Sequence, residues 1–316
     1  MEVFRGIEKL NRALKHPVLT IGNFDGVHLG HRHIFELARE KALARGGECV
    51  AYTFRPHPQV ALRPGLELQL LSTYDEKIEL MRTSGLDVVI EEPFSREFST
   101  ISPDHFFTEI VLKKIGVEAI VVGYDFVFGK ERQGELDALE VMCRRASVEL
   151  TVVPPQRIEG EIASSSRIRQ CLLQGDLRNA SRLLGRAFSY QGAVIRGEGR
   201  GRLIGFPTAN LKLESKLVLH YGVYATWAVV DAGHYLRSPL IFPSVTNIGV
   251  RPTFHTGELP ALIETYLLDQ TIDLYGRILE VRFIEKLRDE MKFSGVESLK
   301  EQIVKDVAKT REILSN

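Results

Sequence analysis

The strongest constraint on the fold of this 316-residue chain is a change of hydrophobic period about halfway along it. In the first half, five short apolar runs are rich in Val and Ile and do not alternate with polar residues: Val18–Gly22, Glu48–Phe54, Asp87–Ile90, Ala119–Gly123 and Glu149–Val153. Strands covered on both faces read this way. Segments of helical period separate them. One runs from Gly30 to about Arg45, with Ile34, Leu37, Ala38 and Ala42 on one side. A second opens with Ser102-Pro103-Asp104, an N-cap followed by Pro at the first helical position, and closes near Gly116. A third, Glu135–Ala146, carries Leu136, Leu139 and Met142. Strand–helix alternation predicts a parallel sheet with right-handed crossovers, an α/β Rossmann-like domain.

After about Arg186 the helical period disappears. Ala187–Ile195, Tyr221–Val230, Tyr235–Leu240, Ser244–Ile248, Ile263–Leu268 and Ile278–Ile284 are strand candidates between Gly- and Pro-containing turns, which predicts a small antiparallel β-barrel. A closing helix is expected from Ser294-Gly295-Val296-Glu297, which has capping-box spacing, with Val296, Leu299, Ile303 and Val307 on one face. Two short helical stretches ending at Gly175 and Gly185 lie between the halves, so the domains are expected to be 1–185 and 186–316.

Composition excludes some functions. With 41 basic and 41 acidic residues the net charge is zero, which argues against bulk attraction to nucleic acid or an anionic membrane. The balance hides a local excess: Pro155 to Gly205 holds nine arginines against four acidic residues, a composition suited to phosphates. Cys49, Cys143 and Cys171 are odd in number and form no C-x-x-C pair, as expected of reduced thiols. The charged start Met1–Lys9 lacks a signal peptide's apolar stretch, and no apolar run approaches the roughly 18 residues that span a bilayer. A cytoplasmic location is expected.

Two constellations carry chemistry. The first strand ends in Gly22-Asn23-Phe24-Asp25-Gly26-Val27-His28-Leu29-Gly30-His31, directly before a helix. A loop at the carboxyl end of a parallel strand is where such domains bind ligands, and a helix N-terminus favours phosphate. His28 and His31, three apart, can project the same way, or simply cap and pack at a loop, and Gly30 lets a nucleotide approach the backbone. Later, Ser164-Ser165-Ser166-Arg167-Ile168-Arg169 offers hydroxyls and arginines to phosphate, or simply caps a helix. The second constellation is the loop Gly197-Glu198-Gly199-Arg200-Gly201-Arg202-Leu203-Ile204-Gly205 followed by Phe206-Pro207-Thr208-Ala209-Asn210. Its glycines match neither the dinucleotide fingerprint nor a Walker A loop. Such a loop either wraps phosphates or connects strands, and Thr208 and Asn210 are hard oxygen ligands suited to Mg²⁺ or members of a turn.

The first constellation resembles the nucleotidyltransferase superfamily, in its flavin-adenylylating branch. That resemblance implies that His28 and His31 act on the triphosphate as catalytic groups. It also implies ATP contacts from Gly22, Asn23, Phe24, Asp25, Gly30, Ser164, Ser165, Arg167 and Arg169. Gly123-Tyr124-Asp125-Phe126-Val127-Phe128-Gly129 resembles a further family motif, with Asp125 on the flavin and Val127 standing where Arg is usual. Thr53-Phe54-Arg55-Pro56-His57-Pro58 is similar to a loop beside the flavin. The second constellation, with Gly222–Ala225, Asn247–Phe254, Ile263–Asp269, Asp273–Gly276 and Leu287–Phe293, resembles riboflavin kinases. This implies Mg²⁺ on Thr208 and Asn210, ATP phosphates on Gly197, Gly199, Gly201 and Gly205, Glu264 as catalytic base and Arg288 near the flavin. Together, in this order, the motifs resemble the bacterial bifunctional riboflavin kinase/FAD synthetase family. The implied small-molecule partners are riboflavin, FMN and ATP, with FMN and FAD as products.

Overall fold

The computed structural model describes residues 1–315 apart from 64, 66–67, 130–133, 198, 213–218, 232–238 and 251–260. It divides into two compact units, Met1–Ser165 and Ser166–Asn316.

The first unit is built on a parallel sheet of β1 (Glu2–Phe4), β2 (Val18–Ile21), β3 (Cys49–Arg55), β4 (Val88–Pro93), β5 (Ala119–Gly123) and β6 (Glu149–Val153). Their order across the sheet is β1-β4-β3-β2-β5-β6. The absence of alternation in the sequence has a direct cause, since both faces are covered. Leu19, Ile21, Val50, Tyr52, Val88, Ile90, Ile120 and Val122 enter one hydrophobic cluster, while Val18, Cys49, Ala51, Val89, Ala119 and Val121 enter the other.

Helix α1 (Leu29–Ala44) seals the second cluster with Phe35, Ala38 and Ala42. The short α2 (Pro58–Leu62) precedes α3 (Tyr74–Thr83), which adds Ile78 and Met81 to that cluster and starts on a Thr73–Glu76 capping box. The helix expected after Ser102 forms as α4 (Pro103–His105), then winds as a π-helix over Phe106–Ile115 and stops at left-handed Gly116. It covers the first cluster with Phe106, Phe107, Ile110 and Val111, joined by Leu139 and Cys143 of α5 (Leu136–Ala146). A hairpin of β7 (Arg157–Ile158) and β8 (Glu161–Ile162) leads to α6 (Ser165–Leu173), and α7 (Leu177–Leu184) follows.

The sheet order reverses at β2, so the loop after β2 lies at the topological switch point, where α/β domains bind ligands. Strand β2 pairs with β3 over four residues but with β5 only at Val18 and Leu19. Beyond Leu19 the two strands no longer pair, and the histidine loop follows β2 there.

The second unit is a closed antiparallel barrel of β9 (Phe188–Ile195), β10 (Ala209–Leu211), β11 (Gly222–Val230), β12 (Leu240–Val250), β13 (Ala261–Leu267) and β14 (Ile278–Arg288). One turn of helix, α8 (Arg200–Leu203), interrupts the glycine loop, and α9 (Val296–Ser315) closes the chain. The sequence reading missed β1 and β10, both three residues long. The expected strand Tyr235–Leu240 falls largely outside the described residues, apart from Leu240, which opens β12. The expected capping box at Ser294 and Glu297 is corrected. Ser298 makes the start of α9, its hydroxyl donating to the Gly295 carbonyl at 2.9 Å. Val296 is exposed, and Val307 meets the cluster of Val223, Val245 and Leu268.

Candidate active sites

In the first unit the histidine loop is strained. Phe24 and Val27 both have positive φ (51° and 39°), with Gly26 at 78° between them. Such a conformation is unfavourable for a β-branched residue and persists only where the surroundings enforce it. Here the enforcing contacts are visible. Phe24 and Val27 are buried in the cluster under α1. The buried Asp25 carboxylate accepts the Leu71 N–H at 2.9 Å and the Ser72 N–H at 3.3 Å, while Gly26 N–H donates to Ser72 Oγ at 3.2 Å. Asp25 therefore shapes the loop. A Cβ at Gly26 would lie 2.8 Å from Leu71 Cβ, and one at Gly22 would lie 2.9 Å from the Phe24 ring.

This scaffold presents the two histidines side by side. Their rings stack with centroids 3.6 Å apart, and Phe24 meets His31 edge-on at 5.3 Å. His28 is the N-cap of α1, its Nδ1 accepting the His31 N–H at 3.4 Å. An accepting Nδ1 leaves the proton on Nε2, the nitrogen then able to donate to an anion. Gly30 must lack a side chain, because a Cβ would sit 3.0 Å from the Ala163 carbonyl and 3.1 Å from the His28 ring. Ser165 Oγ donates to the Asp25 carbonyl at 2.9 Å, joining the serine-rich segment to the histidine loop. Arg167 and Arg169 lie on α6 in the second unit, where Arg167 donates to Gln170 Oε1 at 3.2 Å.

Beside this loop, the Phe54, Phe94, Phe98, Phe106 and Phe128 rings make successive edge or tilted contacts at 5.3–6.3 Å, and Phe126 stacks on Phe128 at 5.5 Å. All but Phe106 are partly exposed, giving an aromatic surface of the kind a fused heteroaromatic ring stacks on. Asp125 lies exposed in the turn after β5.

In the second unit, strand register assembles the site. Asn210 of β10 pairs with Glu264 of β13, which pairs with Asn247 of β12. Directly opposed residues share a face, so the three side chains stand on one row. The glycine loop covers it: a Cβ at Gly197 would overlap Asn210 Nδ2, and one at Gly201 would overlap the Phe206 carbonyl. Gly199 and Gly205 have φ of 71° and 91°, which only glycine adopts freely. Phe206 is pinned edge-on against Tyr266 at 5.4 Å. Gly197→Ala is expected to displace Asn210, cutting the activity of this unit about 10-fold or more while the other unit's activity persists. Separate assays of the two activities on one preparation check this.

Asn210 is 4% exposed, and its Oδ1 has no hydrogen-bond partner. An orphaned buried amide oxygen costs about 1–3 kcal/mol, a cost a ligand can remove. Thr208 is half-buried two residues away, and a Cβ at Gly201 would lie 3.4 Å from its Oγ1. Arg288 sits on the row through Val223 of β11, which pairs with Asn247, but its guanidinium forks onto the buried Asp306 of α9 at 2.8–3.1 Å.

Residues 10–167 match the family FAD synthetase, and residues 184–314 match the family Riboflavin kinase. A bifunctional riboflavin kinase/FMN adenylyltransferase from Escherichia coli (strain K12) is 35% identical over 313 residues, covering 99% of this chain and 97% of that one. The chain belongs to this bifunctional family. The relative from Haemophilus influenzae is also 35% identical, over 97% of each chain. A solved structure described as a macrolide-efflux protein from Streptococcus pneumoniae has a TM-score of 0.86 at 28% identity, covering 98% of each chain. Among the described residues of this family member, no helix is long and apolar enough to cross a membrane.

Sequence reasoning missed several residues of the adenylyltransferase unit. Phe94, Phe98 and Phe106 carry no local motif. Lys77, buried behind the histidine loop, follows the Thr73–Glu76 capping spacing that could have located its helix.

Proposed function

We propose that the chain makes FAD from riboflavin in two ATP-dependent steps, one on each unit. What carries this reading is that each unit holds a complete set of groups for one step.

On the barrel, ATP phosphorylates riboflavin to FMN. Glu264 accepts the proton of the ribityl 5′-hydroxyl as that oxygen attacks the γ-phosphorus. Gly197, Gly199, Gly201 and Gly205 let the loop backbone close on the ATP phosphates, and Arg288, held by Asp306, borders the flavin. The orphaned Asn210 Oδ1 and the Thr208 hydroxyl fit Mg²⁺, which when bound neutralises phosphate charge.

On the α/β unit, the FMN phosphate attacks the α-phosphorus of ATP and pyrophosphate leaves. His28 and His31 donate to the charge growing on the leaving oxygens, and the N-terminus of α1 favours the same charge. Gly22, Asn23, Phe24, Asp25 and Gly30 form the loop around the triphosphate. Ser164 and Ser165 add hydroxyls to its hold on the phosphates. Phe54 and its aromatic neighbours, with Asp125, take the flavin ring. Neither step needs a covalent intermediate. Burial pushes the Cys49 thiol up to about 12 and the Cys143 thiol up to about 11, so neither is an available nucleophile. The three cysteines are free and buried, which suits a reducing cytoplasm.

A time course with riboflavin, ATP and Mg²⁺ tests the proposal. FMN is expected first and FAD after it. FMN accumulating without FAD would overturn the second step, and no FMN at all would overturn the first.

A further inference from the structure

The adenylyltransferase unit buries a cation that the steps above leave unused. Lys77 of α3 is 4% exposed. Its ammonium donates to Thr53 Oγ1 at 3.0 Å, to the Phe54 carbonyl at 3.1 Å and to the Asn23 carbonyl at 3.4 Å. Thr53 Oγ1 in turn donates to the same Asn23 carbonyl at 3.2 Å. These acceptors come from two segments that serve different substrates. Asn23 belongs to the histidine loop, while Thr53 and Phe54 end β3 at the aromatic surface. Lys77 also lines, with Asn23, Asp25, His57, Ser72 and Tyr74, a small cavity of about 10 Å³, the space of one water.

A buried ammonium is costly to desolvate, so a bridge that served folding alone would be cheaper from a neutral side chain. An ammonium offers something a neutral amine lacks: three N–H donors for three oxygens. Resting on the function proposed above, we propose that Lys77 is a positioning residue of FMN adenylyltransfer, its ammonium clipping the ATP-binding loop to the flavin-binding end of β3. Loss of its proton leaves one of the three oxygens facing a lone pair and loosens the clip.

The groups facing Lys77 are Asp25 from the histidine loop, Arg55 from β3, Arg5 from the segment after β1, the Tyr74 ring at 5.5 Å and His57 across the cavity. Asp75 and Glu91 in turn hold Arg5 and Arg55. Burial, opposed by Asp25 and aided by Arg55 and Arg5, lowers the lysine from its usual 10.5 to about 7. The clip is therefore complete well below pH 7, half lost near pH 7 and lost as pH rises further. Stability runs the other way. Between pH 7 and 10.5 only the unfolded chain holds the proton, so this group's contribution to stability rises with pH across that window.

The test measures kcat for FAD formation from FMN and ATP between pH 6 and 9 on the full chain, for wild type, Lys77→Met and Lys77→Arg. Riboflavin phosphorylation in the same samples serves as the internal control. Wild type is expected to lose about 10-fold or more as pH passes 7, and Lys77→Met to be low and flat throughout, with phosphorylation unchanged in both. Lys77→Arg, whose guanidinium stays charged, is expected to restore activity and to keep it to pH 9. The melting-temperature difference, Lys77→Met minus wild type, is expected to fall as pH rises from 7 to 9.

A flat wild-type profile overturns the proposal. So does a Lys77→Met rate within about twofold of wild type, or a pH limb that Lys77→Met retains. If Lys77→Met does not fold, a limb at the same pH in wild type and Lys77→Arg overturns it. Wild-type protein that makes no FAD at any pH overturns the second step of the proposed function instead.

Discussion

Replacing His28 and His31 together by alanine is expected to cut FAD formation from FMN and ATP by about 1,000-fold or more while leaving FMN formation within about twofold. The size follows from the geometry. Removing one well-placed donor to a developing oxyanion typically costs about 100- to 1,000-fold, and here two imidazoles stack 3.6 Å apart at one helix N-terminus. They act as a unit, so each single substitution is expected to recover little of the loss. His28→Ala also removes the N-cap of α1, a stability cost of about 1 kcal/mol. His28→Asn separates the two effects, because Asn caps a helix well and cannot replace the Nε2 donor. Assaying both reactions on one preparation distinguishes a catalytic loss from unfolding. Equal loss of both reactions would contradict the assignment.

The second large effect is expected at Asn210. Asn210→Ala removes the orphaned oxygen and is expected to lower FMN formation by about 100-fold or more, with the Mg²⁺ concentration for half-maximal rate raised. Asn210→Asp keeps an oxygen and adds charge, so it is expected to retain more activity than alanine. FAD formation from supplied FMN is expected to stay within about twofold in both variants. An Asn210→Ala enzyme with unchanged Mg²⁺ dependence would argue for a role in holding the glycine loop alone, since Gly197 packs on the same amide.

The parts of this molecule that were legible in the sequence are those whose signal is local. The strands from β2 to β5 announce themselves because both faces are buried, which removes polar alternation. The histidine loop is readable because strand end, glycines and helix start are consecutive. Strand β1 is three residues long with Glu2 at its head and is made by pairing with β4, some 86 residues away. Strand β10 begins within Pro207–Asn210, whose residues equally spell a turn. The π-helix has buried apolar residues at 106, 107, 110, 111 and 115, a spacing that α and π winding share. Lys77, and the part Asp25 plays in shaping its loop, were opaque for a different reason. The meaning of each lies in acceptors or donors 23 to 54 residues away, which no window of sequence brings together. Asn247 is similar, becoming a neighbour of Glu264 only once β12 and β13 are in register.

That register carries a consequence for how the barrel tolerates change. Glu264 alternates with Thr265, which lies fully buried in a chain of hydroxyls with Thr246, Thr226 and Ser244. A strand has only two orientations, so adding or deleting one residue within β13 would leave its backbone able to pair but would exchange these two side chains. The carboxylate would turn into the barrel, and the threonine out onto the row that Asn210 and Asn247 share. The composition of that row is thus encoded as a phase. Insertions in the connecting loops leave it intact, whereas a single-residue frameshift inside the strand inverts it.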